Sequence, residues 1–304
     1  MRMQDWLQLE IAFPALFGAV VGAVFGSFLN VVRVRMPEGE SIAHPRSHCT
    51  RCGQTLKWWQ NIPMLSWLLL RGRCHFCREK ISPLYPLIEL ATSLLWACCA
   101  VTALTGGGTA AVRIAQGAAQ AIFCWGMVLL AALDWEQLWL PDRITLPMIG
   151  LGLLWQWLRA SMASQVPSVL QMELLRSVGL HATRGTAVLM AVFAALAGAG
   201  IVLVIRLAYW LVRRREGMGL GDAKLMAALG AWLGFSAMVD AFLAAVLGAF
   251  VAAMVWLGVV RWRRSGEAWA SLPLPLGTFL ALTAVAEVFD PVWLWKHWMA
   301  LFFR

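Results

Sequence analysis

The stretch GTAVLMAVFAALAGAGIVLVIRLAYWLV at residues 185–212 determines the fold class of this chain. It is 28 residues long and almost entirely apolar, whereas a helix needs only about 20 residues to cross a bilayer. Seven further runs have the same character: 11–32, 84–104, 113–133, 143–158, 223–239, 241–260 and 274–289. The sequence therefore predicts an all-α polytopic membrane protein with about eight transmembrane helices, or seven if 223–260 is divided differently.

The composition agrees with this class. Of 304 residues, 61% are hydrophobic and 13% are charged, whereas soluble domains average about 45–50% and about 25%. The 18 tryptophans suit the membrane–water interface. The first apolar run follows acidic residues and has no small-residue cleavage site, so we expect it to be retained rather than removed as a signal peptide.

The basic residues predict an orientation. The net charge is +9, which is typical of basic cytoplasmic loops and of attraction to anionic membrane lipids, and we expect no nucleic-acid binding. The basic clusters are nine Lys and Arg residues within 33–80, Arg213 to Arg215, and Arg261, Arg263 and Arg264. Alternating spans place all three clusters on the cytoplasmic side and both termini outside. Interfacial segments are predicted within 159–184 and at 292–304.

Two C-x-x-C pairs lie in the first of these basic segments. Cys49 and Cys52 are separated from Cys74 and Cys77 by 21 residues, and four thiolates suit tetrahedral zinc with no open position. Two disulfides, or four thiols without a structural role, are the alternatives, and a reducing cytoplasm disfavours the disulfides. We therefore predict a first transmembrane segment at 1–32, a cytoplasmic four-cysteine zinc domain at 33–83 and a transmembrane core at 84–304.

Two aspartates are the candidate catalytic groups. Asp134 ends the third predicted span and Asp222 begins the sixth, so both are expected at cytoplasmic helix ends. When two carboxyl groups are close, one holds a proton. The ionised group then activates water, and the protonated group polarises a peptide carbonyl and donates to the leaving nitrogen.

Simpler roles are possible for these acids and their neighbours. Asp222 could be a helix N-cap and Asp134 an interfacial charge. Asp142 is expected to cap the fourth span, and Asp240 to lie at the outer face between the sixth and seventh. Glu136 is a candidate supporting group beside Asp134.

In combination these segments resemble the bacterial type IV prepilin peptidases, a family of G-x-G-D membrane aspartic proteases. The matching segments are GSFLNVV at 26–32 with Arg33 and Pro37, PRS at 45–47, the four cysteines, Trp59, NIP at 61–63, SWL at 66–68, YPLIE at 85–89, DWEQLWLPD at 134–142, LP at 146–147 and GLGDAKL at 219–225. One departure is Thr278, where the family commonly has proline.

The resemblance implies removal of a short basic leader from type IV pilins or type II secretion pseudopilins at the cytoplasmic face of the bacterial inner membrane. It also implies N-methylation of the new N-terminus with S-adenosylmethionine as methyl donor. The chain shows no Rossmann glycine pattern, so the methyl-donor site rests on the resemblance, with Asn30 and Glu89 as candidates. Glu136, Asp142 and Glu216 are the acids available to receive a basic leader.

Two alternatives stay open from the sequence. Intramembrane carboxylates would also suit a transporter, although both aspartates are predicted at one face rather than at the midplane, where transporter sites usually lie. A peptidase that does not methylate is the other alternative.

Overall fold

The structure is a computed structural model that describes residues 3–162, 183–215, 217–262 and 274–291. Within these ranges the regular secondary structure is helical and there is no β-sheet, only isolated antiparallel bridges between His48 and Thr55 and between Arg73 and Lys80. The chain divides into two compact units, Met1–Leu129 and Leu130–Arg304. Interfacial segments were predicted within 159–184 and at 292–304; residues 163–182 of the first and all of the second lie outside the described residues, as does Glu216.

The first unit is built on a pair of long helices. Its elements are α1 (Met3–Arg35), a 3-10 turn (Trp58–Asn61), α2 (Leu65–Leu69), α3 (Leu84–Thr105) and the first part of α4 (Ala110–Gln137). A Cβ atom on Gly18 would lie 2.6 Å from the carbonyl oxygen of Trp96, and one on Gly22 would lie 2.7 Å from that of Thr92. Small residues on one face of α1 therefore allow close packing against α3.

The second unit surrounds a short central helix. Its elements are the end of α4, α5 (Asp142–Ser161), α6 (Arg184–Arg213), α7 (Leu220–Leu233), α8 (Phe235–Trp262) and α9 (Leu276–Phe289). Helix α7 contacts α5, α6, α8 and α9, and nine of its 14 residues are buried. A helix that is apolar all round is expected in such a central position. The residues at the N-terminal end of α7 are thereby held within the unit.

Five helices in the described part of the chain are long and apolar enough to cross a membrane: Ile11–Arg35, Leu84–Thr105, Ala110–Gln137, Arg184–Arg213 and Phe235–Gly258. They confirm a multi-pass helical protein. The predicted fourth, sixth and eighth spans are also helical, as α5, α7 and α9, but these helices are not among the five candidates.

The predicted boundary between the sixth and seventh spans is wrong. We expected one span at 223–239, another at 241–260, and Asp240 at the outer face between them. The break instead falls at Gly234, where φ is +81°, and Asp240 is a buried residue inside α8. Glycine adopts a positive φ without the steric cost that a Cβ imposes. The turn therefore forms at the glycine rather than at the charged residue.

Candidate active site

Asp134 lies in the last turn of α4 and is only 5% exposed. Its Oδ2 atom accepts two hydrogen bonds from Thr278 in the first turn of α9, one from the backbone N–H at 2.6 Å and one from the hydroxyl at 3.1 Å. The N–H groups in the first turn of a helix have no partner within the helix, and the helix dipole favours an anion there. The end of one helix therefore presents a carboxylate to the start of another.

Gly277 permits this approach. A Cβ atom at this position would lie 2.9 Å from Cγ of Asp134 and 3.0 Å from Cδ1 of Leu140. Both distances are shorter than ordinary van der Waals contact between carbon atoms. The backbone of α9 can therefore reach Asp134 only because residue 277 has no side chain.

Asp222 lies in the first turn of α7 and is half-buried. Its Oδ2 atom accepts the backbone N–H of Gly219 at 3.2 Å. Gly219 is the N-cap residue of α7, so the alternative of Asp222 as the N-cap is wrong. The carboxylate instead reaches back from inside the helix to the N-cap backbone, as acidic residues in capping boxes do.

The two aspartates interact electrostatically. Asp222 lies outside the five candidate spans. Burial and, to a smaller extent, the negative charge of Asp134 raise the pKa of Asp222 to about 6. The hydrogen bond from the Gly219 N–H lowers this pKa but does not offset the other two effects. Leu140 contacts a glycine beside each aspartate: a Cβ atom on Gly221 would lie 2.9 Å from its Cβ, and one on Gly277 would lie 3.0 Å from its Cδ1. The pair predicted from sequence is thus brought together by α4, α7 and the segment that follows α4.

Asp142 does not cap α5, as the sequence had led us to expect. The N-cap is Pro141 and makes no side-chain capping bond. Asp142 is the first helical residue, and its carboxylate forms an ion pair with Lys224 of α7. Glu136 is exposed on the turn that follows Asp134. The ion pair joins the start of α5 to the second turn of α7, just beyond the glycines.

Sequence reasoning missed two residues that hold this region. Thr278 was noted only as a departure from the family pattern. Arg206 donates from Nη1 to the carbonyl oxygen of Met218 at 2.8 Å and so fixes the glycine-rich segment before α7 against α6. It is the only charged residue in the apolar run 185–212. An isolated charge in such a run is a signal that could have identified it.

The four predicted cysteines converge in the first unit. Their Sγ atoms all lie within 4.8 Å of one another, and those of Cys49 and Cys77 are 3.9 Å apart. Four thiolates around a zinc ion, with Zn–S bonds of about 2.3 Å, would place sulfurs about 3.8 Å apart. None of the cysteines is disulfide-bonded. The arrangement fits a closed four-thiolate metal site.

The backbone around Cys74 favours a thiolate. Burial would raise the pKa of this thiol, but hydrogen bonds from the backbone of Cys77 and Phe76, with the thiols of Cys77 and Cys49, lower that pKa to about 7. The pKa of Cys77 is instead raised to about 11 by burial and the neighbouring thiols, against a hydrogen bond from the backbone of Glu79. Because the thiolate is the form that binds metal, Cys74 is the thiol of this turn that is suited to bind metal at neutral pH.

Asn30 and Glu89, the methyl-donor candidates, are neighbours in the first unit. Both are buried, and Asn30 lies within hydrogen-bonding reach of the Glu89 carboxylate. Glu89 accepts the backbone N–H of Met64 at 2.6 Å, and Asn30 donates to the carbonyl oxygen of Tyr85 at 3.0 Å. The Asn30 Oδ1 atom is buried without a hydrogen-bond partner. A buried acceptor beside a carboxylate fits a polar, cationic ligand.

Comparisons with known proteins agree with this arrangement. Residues 20–103 match the bacterial peptidase A24 N-terminal domain, and residues 121–257 match the type IV leader peptidase family. A prepilin leader peptidase/N-methyltransferase of Aeromonas salmonicida is 33% identical over 91% of this chain and 89% of its own length. One from Burkholderia pseudomallei is 36% identical over 92% and 87%, and one from Pseudomonas putida is 32% identical over 93% and 92%. No solved structure matches significantly. With the paired aspartates and the four converging cysteines in place, the chain belongs to the type IV leader peptidase family.

Proposed function

We propose that this protein is a prepilin leader peptidase that also methylates the N-terminus it creates. The observation that carries the peptidase activity is the electrostatic interaction between Asp134 and Asp222 within one helical unit. Relatives that align over almost their whole length are named for both activities. The substrates are type IV pilins or type II secretion pseudopilins with a basic leader.

The two carboxyl groups supply the chemistry of hydrolysis. The ionised group takes a proton from water, and the water oxygen attacks the scissile carbonyl carbon. The protonated group stabilises the developing oxyanion and then donates its proton to the leaving nitrogen as the C–N bond breaks. The half-buried site limits water and strengthens both interactions.

We place the protein in the bacterial inner membrane with eight spans and the aspartates at the cytoplasmic face. Helices α5, α7 and α9 complete the set of eight. The apolar run of α7 starts after Asp222. Helices α7 and α9 have 14 residues each, or about 21 Å of length, so the residues that flank them would complete each crossing of a bilayer core of about 30 Å. Glu136 and Asp142 are exposed acids beside the pair, and their negative charge would attract a basic leader.

The cysteine cluster is proposed to hold a structural zinc ion. Cys49, Cys52, Cys74 and Cys77 would occupy all four tetrahedral positions, which leaves none for a substrate or water. The metal would stabilise residues 33–83, where the described chain has only a 3-10 turn and the five-residue helix α2. A segment of this size gains much of its stability from such a site.

The buried cluster of Asn30 and Glu89 is proposed to bind S-adenosylmethionine. This donor supplies an electrophilic methyl group when it is bound. The Glu89 carboxylate would complement the positive charge of the donor, and the Asn30 Oδ1 atom would accept a hydrogen bond from its polar groups.

The deciding experiment is cleavage of a prepilin by the full-length protein in liposomes, comparing wild type with Asp134→Asn and Asp222→Asn. Cleavage by wild type and its loss in both variants is the expected result. Asp240→Asn, the same change at a buried aspartate outside the pair, serves as the control and retains cleavage. Mass spectrometry of the product detects the added methyl group. A product without it would leave a peptidase alone, and no cleavage by folded wild type would refute the proposal.

A further inference from the structure

The hydrogen bonds between α9 and Asp134 distinguish the two aspartates. We infer that Thr278 is a positioning residue that makes Asp134 the unprotonated, water-activating member of the pair and leaves the proton on Asp222. This inference rests on the proposed peptidase function and assigns the roles within the same site.

The backbone N–H of Thr278 carries the argument because it can only donate. It lies 2.6 Å from Oδ2 of Asp134 and 3.1 Å from the carbonyl oxygen of Pro275, so the carboxylate is its closer acceptor. The bond disfavours a proton on Oδ2, because the hydroxyl oxygen of a carboxylic acid is a weaker acceptor than a carboxylate oxygen. Hydrogen bonds to an ionised acceptor are about twice as strong as neutral ones. The bond therefore favours the ionised form of Asp134.

The Thr278 hydroxyl adds a second donor. Its Oγ1 lies 3.1 Å from Oδ2 of Asp134 and 3.1 Å from the carbonyl oxygen of Ala131. The hydroxyl has a single hydrogen and can donate to only one of these two acceptors at a time. An ionised carboxylate of Asp134 carries the greater negative charge and is therefore the stronger acceptor. Residue 278 is 8% exposed, so water competes little for either donor.

Asp222 has weaker support for its ionised form. A single backbone N–H, that of Gly219, reaches its carboxylate at 3.2 Å. The surrounding residues Gly219 and Gly221 have no side chains that could donate. Burial together with the charge of Asp134 raises the pKa of Asp222 to about 6. Asp134 is buried as well, so the difference between the two carboxylates rests on their donors: two from Thr278 reach Asp134, and one from Gly219 reaches Asp222. When one proton is shared by the pair, it is therefore expected on Asp222.

Among the described residues, Thr278 is the group that the structure shows donating to Asp134. On the helices that pack around the pair, Lys224 is paired with Asp142, and Glu136 is exposed and negative. Glu287 lies in the last turn of α9, about three turns from Thr278. Thr278 is thus the neutral group that distinguishes the two carboxylates.

The test is the pH profile of prepilin cleavage by wild type, Thr278→Val, Thr278→Ser and Thr278→Pro in liposomes. The valine variant keeps the N–H, loses the hydroxyl and nearly preserves the side-chain shape. The acidic limb of its pH–rate profile should move to higher pH by about one unit, because loss of the hydroxyl donor makes the carboxylate of Asp134 harder to form. The serine variant keeps both donors and should follow wild type. The proline variant loses both donors at a first-turn position that tolerates proline and should shift furthest.

Each outcome decides between the two proposals. If Asp134→Asn abolishes cleavage while Thr278→Val keeps the wild-type pH profile, the role of Thr278 is refuted and the peptidase function stands. A uniform loss of rate at every pH would also refute it, since a merely structural role would act in this way. If wild type does not cleave, both proposals fail. Should the valine variant not accumulate, Thr278→Ala replaces it, because it removes the same hydroxyl.

Discussion

Gly277 lies directly against the carboxyl group of Asp134, so that a Cβ atom at residue 277 would be 2.9 Å from Cγ of Asp134. The two residues are brought into contact by the start of α9 and the end of α4. No side chain fits between them. The position of the carboxylate therefore depends on the absence of a single methyl group.

Gly277→Ala is expected to lower kcat by about 100-fold, since a displacement of about 1 Å at a reacting group has an effect of this size. Prepilin cleavage at saturating substrate measures it. Gly150→Ala is the matched control, because a Cβ atom on this helical glycine would meet nothing within 4 Å. Equal rates for the two variants would show that the close approach is unimportant.

The pKa of Asp222 predicts a dependence of stability on pH. Its pKa is about 6 in the folded protein and 3.8 in the reference state. Between these values the folded state binds more protons than the unfolded state, so stability declines as pH rises from about 4 to about 6 and is then constant. Asp222→Asn cannot ionise.

We therefore expect the unfolding temperature of Asp222→Asn, relative to wild type, to increase over this pH window. Thermal unfolding in detergent at a series of pH values measures the difference. Asp142→Asn provides the comparison at an exposed acid. If the difference in unfolding temperature between Asp222→Asn and wild type does not vary with pH, the pKa assigned to Asp222 is wrong.

The cysteine cluster predicts one zinc ion per chain. Cys74→Ser removes the buried ligand of the four and should reduce bound zinc to nearly none, with a lower unfolding temperature, because binding of structural zinc contributes directly to folding. Elemental analysis of purified protein measures the metal. Cys98→Ser, outside the cluster, should retain it. Zinc at the wild-type level in Cys74→Ser would exclude this site.

Glu89→Gln separates the two activities. It keeps an oxygen that can accept the Met64 N–H but removes the negative charge, so methylation should fall at least about tenfold, the factor equivalent to about 1.4 kcal/mol. Cleavage should change little. Mass spectrometry of processed pilin measures both reactions in one sample, with Glu38→Gln at an exposed acid as the control. Normal methylation in Glu89→Gln would remove Glu89 from the methyl-donor site.

Several features of this protein follow from local sequence alone. Apolar runs longer than a bilayer crossing predict helices, because every backbone polar group must be bonded within the segment. The two C-x-x-C pairs predict converging sulfurs, since each short turn directs its thiols to one centre. The runs at 11–32, 84–104, 113–133 and 185–212 all lie in long helices of the structure.

Other features depend on contacts between residues far apart in the chain. Thr278 donates to the carboxylate of Asp134, 144 positions away. Asp142, which was expected to cap α5, instead forms an ion pair with Lys224. Local patterns carry no information about which helix ends meet. The sequence therefore determined the helices and the reactive groups, whereas packing in the second unit decided which donors surround each aspartate.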